Sequence, residues 1–113
     1  MQLISPEKVF RGNDAWFNSI PEIKQITKRP LILGRSTFTK DIRYKIYNDL
    51  KFHNLDVYTS NLKFDCCYED LSRIKKVILE NNCDSIIASG GGKVLDAGKF
   101  LADSISIQLL LYH

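Results

Sequence analysis

The feature that most constrains this chain is the passage from an apolar run into three glycines and on into a helical pattern. Ser85, Ile86, Ile87 and Ala88 read as a short buried strand, Gly90, Gly91 and Gly92 follow Ser89, and a helical pattern opens at Val94. Consecutive glycines let the backbone turn sharply and come close to another surface. A helix that opens directly behind them aims its unbonded amides, and the positive end of its dipole, at one spot. Phosphate is the usual occupant of such a spot.

The rest of the chain repeats the same alternation. Residues 7–12 read as a short strand ended by Gly12, and Asn13 is placed to cap a helix over residues 14–27 that brings Trp16, Ile20, Ile23 and Ile26 near one face. Pro21 is expected to kink that helix or split it. Leu31-Ile32-Leu33-Gly34 is a continuous apolar run bounded by Pro30, the pattern of a strand covered on both faces. Ser36 or Thr37 can cap the next helix, which runs to about residue 53 with Phe38, Ile42, Ile46 and Leu50 as an apolar stripe. Residues 55–59 form a third candidate strand and residues 60–67 a polar loop. A helix over 68–82 turns Leu71, Ile74, Val77 and Ile78 inward, carries Glu69 and Asp70 in its first turn, and ends at Asn81-Asn82. Residues 85–88 are the fourth strand, 94–103 the next helix and 105–111 a last apolar segment. Strands alternating with helices predict one α/β domain over residues 1–113, a Rossmann-like parallel sheet flanked by helices. Ligands of such sheets sit outside the carboxyl ends of the strands, where Gly34 and Gly90–Gly92 both fall.

Composition narrows the class without naming a function. With 44% hydrophobic and 26% charged residues the chain is an ordinary globular domain, neither disordered nor collagen-like. The formal charge of +3 is weak and scattered. No basic stripe or nucleic-acid-reading motif is visible, so nucleic acid is not an expected partner. Cys66, Cys67 and Cys83 are odd in number and include an adjacent pair, which suits reduced thiols better than a disulfide framework or a zinc site. The opening residues lack a basic, then apolar, leader and no apolar run reaches roughly 18 residues, so a cytoplasmic protein with no membrane partner is expected.

Two standard phosphate templates fail at the glycine run. The dinucleotide fingerprint G-x-G-x-x-G meets Leu95 where its last glycine belongs, and the P-loop pattern meets Ile87 and Val94 at its required positions. The pattern Gly90-Gly91-Gly92-Lys93-x-x-Asp96, with Lys99 beyond it, instead resembles the iron-containing alcohol dehydrogenase and glycerol dehydrogenase family. The likeness extends over residues 1–105, through Ser5-Pro6-Glu7-Lys8-Val9-Phe10-Arg11-Gly12 and the strand ending at Gly34.

This resemblance implies a nucleotide-binding α/β domain followed, in the family, by a helical domain, with NAD or NADP in the cleft between them. Gly90, Gly91 and Gly92 would carry the pyrophosphate, with Lys93 alongside. Asp96 would lie near the cofactor, and Gly34, Arg35 and Ser36 would face its adenosine half. The family's divalent metal, iron or zinc, is held by an aspartate and histidines on the helical domain, and this chain is expected to supply none of them. Beyond Ile107 it reads Gln108-Leu109-Leu110-Leu111-Tyr112-His113, where the family continues into a Thr/Ser-rich loop. The expected function is therefore the NAD(P)-binding portion of an alcohol or glycerol dehydrogenase-like oxidoreductase, not catalytic alone.

Each singled-out residue also has a plainer role. Lys93 can be a solvated lysine at a helix start, Asp96 a carboxylate stabilised by the dipole of a first turn, and Arg35 either a phosphate partner or a solvated loop arginine. Phe38, Tyr44, Tyr47 and Phe52 suit packing or a helix surface better than base stacking. Trp16 suits a core anchor or a dimer contact. The alternative function is a non-catalytic remnant that acts as an oligomeric or partner-binding module. A homo-oligomer would then form through the apolar face left open where the family's helical domain belongs, or through Leu109-Leu110-Leu111 as an edge strand that pairs with a second copy.

Overall fold

The computed structural model describes residues 8–10, 12–35, 40–63 and 67–112. Along these residues strands and helices alternate: β1 (Lys8–Phe10), α1 (Gly12–Ile26), β2 (Pro30–Gly34), α2 (Lys40–Phe52), β3 (Tyr58–Asn61), α3 (Tyr68–Glu80), β4 (Ser85–Ser89), α4 (Gly92–Ile105) and β5 (Gln108–Tyr112). The strands form one sheet in the order β1-β5-β4-β2-β3, and every neighbouring pair is parallel. This is the Rossmann-like parallel sheet with flanking helices that the alternation predicts.

Period-two alternation decides what lies on each face of the sheet. Leu31, Leu33, Ile86, Ala88, Leu109 and Leu111 point to one side, where they meet Ile74 and Ile78 of α3 and Val94, Ala97 and Leu101 of α4. Ile32, Ile87, Leu110 and Tyr112 point to the other, against Trp16, Ile20 and Ile23 of α1 and Ile46 and Leu50 of α2. Both faces are covered, so β2 and β4 are buried along their whole length and read as unbroken apolar runs. Fully burying a side chain such as Ile32 or Ile87 contributes about 1.5–3 kcal/mol. Gly98 sets how closely α4 lies on the sheet. A Cβ there would stand 3.1 Å from Leu109 Cδ1 and 3.3 Å from Ala88 Cβ, closer than ordinary van der Waals contact.

The amino ends of the central strands are tied together by polar groups. Asp84 accepts from the backbone amides of Lys28 (2.9 Å) and Arg29 (3.1 Å) and from the Thr27 hydroxyl, and Thr27 Oγ1 lies 2.7 Å from Ser85 Oγ. These bonds close the α1–β2 connection onto the entry to β4 and satisfy groups that β2 and β4 would otherwise bury unpaired.

Several elements depart from the sequence-based expectation. Leu109–Leu111 is not an edge strand: β5 lies between β1 and β4, with Leu110 fully buried. An apolar triplet can be covered on both faces only inside the sheet, and the edges fall to β1 and β3. Pro21 does not split α1, which runs unbroken from Gly12 to Ile26 with the proline exposed; the amide it lacks costs least on the solvent side. The helix also opens at Gly12, so Asn13 lies inside it. β3 begins at Tyr58, because Asn54 turns left-handed (φ 68°) and Leu55 donates back to the Leu50 carbonyl (3.1 Å) before the chain extends. Residues 105 and 106 end α4, with Ser106 at φ 62°, and β5 starts only at Gln108. In α2 the buried face is Arg43, Ile46 and Leu50, and Ile42 is 40% exposed. A strict four-residue repeat drifts about 40° per step around a 3.6-residue helix, so with Arg43, Ile46 and Leu50 at the centre of the buried face Ile42 falls at its margin. Ser36, Thr37 and Phe38 lie outside the described residues, as does Cys66.

Candidate functional site

The sheet order creates a switch point between β2 and β4. From β2 the chain leaves through α2 on one face to reach β3; from β4 it leaves through α4 on the opposite face to reach β5. Neighbouring strands whose connections diverge to opposite faces leave a crevice at their carboxyl ends. Leu33 pairs with Ala88 in register, so Gly34 and Arg35 at one strand end stand beside Ser89 and Gly90 at the other. Ser89 is buried, and its hydroxyl donates to the Leu33 carbonyl across a long 3.4 Å.

The glycine corner is shaped by three different backbone demands. Gly90 has φ +137°, a conformation that L side chains rarely adopt, and a Cβ on it would stand 3.3 Å from Val94 Cγ2. Gly91 occupies the N-cap position of α4 with φ −87° and ψ −165°, and no side chain caps the helix. The first α-helical bond is from Leu95 N–H to Gly91 O (3.1 Å). The amides of Gly92, Lys93 and Val94 therefore have no partner within the helix. Around Gly91 and Gly92 a Cβ would meet nothing within 4 Å. Gly91 and Gly92 are exposed and uncrowded, so an anion can come close to the backbone there.

Charge around the corner is predominantly positive. Lys93 is exposed in the first turn of α4, where the helix dipole disfavours a cation unless an anion shares the site. Asp96 is exposed but is the fifth residue of α4, and the first turn carries no acidic residue. The expectation that the dipole of a first turn stabilises Asp96 is thereby corrected: α4 starts two residues earlier than its apolar pattern suggests, and the dipole effect fades within one turn. Arg35 is exposed at the end of β2.

Sequence reasoning missed Arg43. It is buried, and its side chain lies directly against Gly34, where a Cβ would overlap Arg43 Cδ, Nε and Nη1. Gly34 is therefore a glycine because an arginine crosses it. Burial pushes the Arg43 guanidinium below the usual arginine range, though an arginine stays cationic in a protein. Its only sequence signal was the three-residue step to Ile46 on α2. A second missed group lies at the end of β3. Asp70 is buried and accepts from Lys63 N–H (2.8 Å) and Arg73 Nη2 (2.9 Å), while Arg73 also donates to the Asn61 carbonyl (2.6 Å) and to Ser60 Oγ (3.3 Å). Leu62 N–H donates to the Gly34 carbonyl (2.8 Å), which joins this network to the end of β2.

The aromatic side chains take the plainer roles. Trp16 is fully buried, donates to Asp49 Oδ2 (2.9 Å) and meets Tyr112 edge-on at 5.3 Å, so it anchors the core. Tyr44 (68% exposed) and Phe52 (82%) lie on the surface of α2. His53 Nδ1 is 2.8 Å from the Asp49 carbonyl at the end of that helix, and His113 lies outside the described residues. Cys67 and Cys83 are free thiols. Among the described residues no group of three or more His, Cys, Asp or Glu side chains converges as metal ligands, and no helix is long and apolar enough to cross a membrane.

Comparison with known proteins agrees with this fold. The sequence model of the family described as iron-containing alcohol dehydrogenase matches residues 6–110. Glycerol dehydrogenase of Citrobacter freundii is 23% identical over 95 residues, covering 84% of this chain and 26% of that protein. A glycerol-1-phosphate dehydrogenase (NAD(P)+) of Saccharolobus islandicus is 28% identical over 103 residues, covering 86% of this chain and 28% of that protein. The structure of a probable glycerol dehydrogenase from Sinorhizobium meliloti superposes with a TM-score of 0.72 at 22% identity, over 94% of this chain and 28% of that one. The chain spans about a quarter of the length of the curated relatives it matches. With the family model running almost from end to end and the same fold recurring in a dehydrogenase, this chain belongs to the iron-containing alcohol dehydrogenase family.

Proposed function

We propose that this chain supplies the dinucleotide-binding portion of an NAD(P)-linked oxidoreductase acting on an alcohol or polyol. The observation that carries this reading is the uncapped start of α4 behind the open Gly91–Gly92 backbone, at the switch point between β2 and β4. A diphosphate would accept from the free amides at the start of α4, Gly92 and Lys93 foremost, and the Lys93 ammonium would offset part of its charge. Asp96 is one turn further on. A carboxylate there repels a phosphate and suits a ribose hydroxyl or the substrate. Gly34 and Arg35 face the adenosine half. A bound dinucleotide would supply hydride-transfer chemistry, and the family's metal would supply polarisation of the substrate oxygen. No described residue of this chain is assigned to that metal, so the chain alone is expected to show no dehydrogenase turnover with glycerol or simple alcohols. A cytoplasmic location is part of the same reading. So is self-association through the outer edges of β1 and β3, which light scattering at high concentration would test.

The binding test is a titration of the isotopically labelled 113-residue chain with ADP-ribose or NAD+, followed by amide NMR. The expected result is a saturable shift of the Gly90–Lys93 amides. Unmoved amides at millimolar ligand in a folded sample would overturn the reading.

A further inference from the structure

The end of β2 differs from the glycine corner in what it offers a ligand. The corner offers neutral amides, whereas the β2 end offers guanidinium groups. Arg35 is the first residue after the strand and is exposed; Arg43 reaches across from α2 to lie on Gly34. On the other side, β3 ends at Asn61, and Lys63 is exposed just beyond it. Asp41 is exposed in the first turn of α2, six residues on from Arg35, and Asp70 is buried and already bonded to Arg73 and to the Lys63 amide. No carboxylate lies on β2 or at its first following residue. A dinucleotide's adenosine ribose is read at a neighbouring strand end in one of two ways. An acidic side chain there accepts from the free 2′-hydroxyl, or an arginine there binds a 2′-phosphate. The position adjacent to the corner is an arginine, and a second guanidinium lies behind it.

Resting on the dinucleotide reading above, we infer that the carboxyl end of β2 is a 2′-phosphate site, with Arg35 as the specificity-determining residue, so that the chain takes the 2′-phosphorylated dinucleotide in preference to the unphosphorylated one. Gly34 is part of the device. Without a Cβ it lets Arg43 cross the strand end and add its charge from below, while Arg35 meets the phosphate from the solvent side. A guanidinium binds a phosphate bidentately, which a lysine cannot do. The preference therefore depends on Arg35 being an arginine.

The test is calorimetric titration of the 113-residue chain with NAD+ and NADP+ separately, and with 2′-AMP against 5′-AMP. NADP+ is expected to bind about tenfold or more tightly than NAD+, the size of one charge-assisted contact, with the margin narrowing as salt is raised. Arg35→Glu is expected to abolish or invert that preference, in a sample whose circular dichroism shows it folded. Equal affinities, tighter NAD+ binding, or an unchanged ratio in Arg35→Glu would overturn the 2′-phosphate site and leave the dinucleotide reading standing. Failure of a folded chain to bind either dinucleotide would overturn both.

Discussion

The three corner glycines answer to different physical demands, and alanine substitutions separate them. Gly90→Ala places a Cβ at φ +137° and 3.3 Å from Val94 Cγ2. The backbone conformation alone costs about 1–3 kcal/mol, and the crowding against Val94 adds to it. A loss of about 3 kcal/mol lowers the melting temperature of a domain this size by roughly 10–20 °C. Gly91→Ala meets neither problem: φ −87° with ψ −165° is extended backbone open to alanine, and nothing lies within 4 Å of the new methyl. Gly92→Ala is equally unobstructed at the first position of α4. Both substitutions restrict the unfolded chain and are expected to leave stability unchanged or raise it by up to about 1 kcal/mol. Each also adds a methyl group beside the backbone proposed to receive the diphosphate, which is expected to weaken dinucleotide binding about tenfold or more, or about 1.4 kcal/mol. Urea denaturation followed by circular dichroism measures the first effect and calorimetric titration the second. Wild-type affinity in both Gly91→Ala and Gly92→Ala would refute the placement of the diphosphate. A Gly90→Ala protein as stable as the wild type would refute the argument from φ.

Two further predictions concern buried groups away from the corner. Asp70→Ala leaves the Lys63 amide and one donor of Arg73 without their acceptor, so a loss of about 2–3 kcal/mol is expected in urea denaturation, with Asp70→Asn costing less because it keeps an acceptor. Burial, and then the nearby Asp84 carboxylate, push the Cys83 thiol up to about 11. The folded state thus holds its proton more tightly than the unfolded chain does. The resulting stability is fully present below the ordinary thiol range and is lost as pH rises toward about 11. Cys83→Ala is expected to flatten that alkaline decline, measured as denaturation midpoints between roughly pH 8 and 11. An alkaline decline as steep in Cys83→Ala as in the wild type would place its cause elsewhere.

Much of the fold was legible because parallel strands covered on both faces leave an unmistakable record. Leu31-Ile32-Leu33 and Ile86-Ile87-Ala88 carry no polar residue to mark a solvent side, and both became central strands. The glycine corner was legible because only glycine serves at Gly90 and because a helical pattern follows so closely. Boundaries were less legible. Leu55 and Val57 are buried like strand residues, yet they belong to the turn between α2 and β3, since periodicity registers burial and not hydrogen bonding. Arg43 was illegible for the opposite reason: a charged residue at a helical position reads as solvent-facing, and only the missing Cβ of Gly34 makes room for it. Asp70, which by position suits a helix dipole, also accepts from Arg73 on its own helix and from the Lys63 amide just beyond β3.

By itself the sequence determined the alternation of strands and helices, the two central apolar strands and the glycine turn that follows the second of them. Each of these follows from interactions between residues only a few positions apart. Strand order could not be read that way. Nothing local in Leu109-Leu110-Leu111 says whether it lies at an edge or between β1 and β4, because its partners are far away in the chain. The tertiary structure alone decided that β2 and β4 are neighbours with diverging connections. That adjacency brings Gly34, Arg35 and Arg43 to the same rim as Gly90–Gly92.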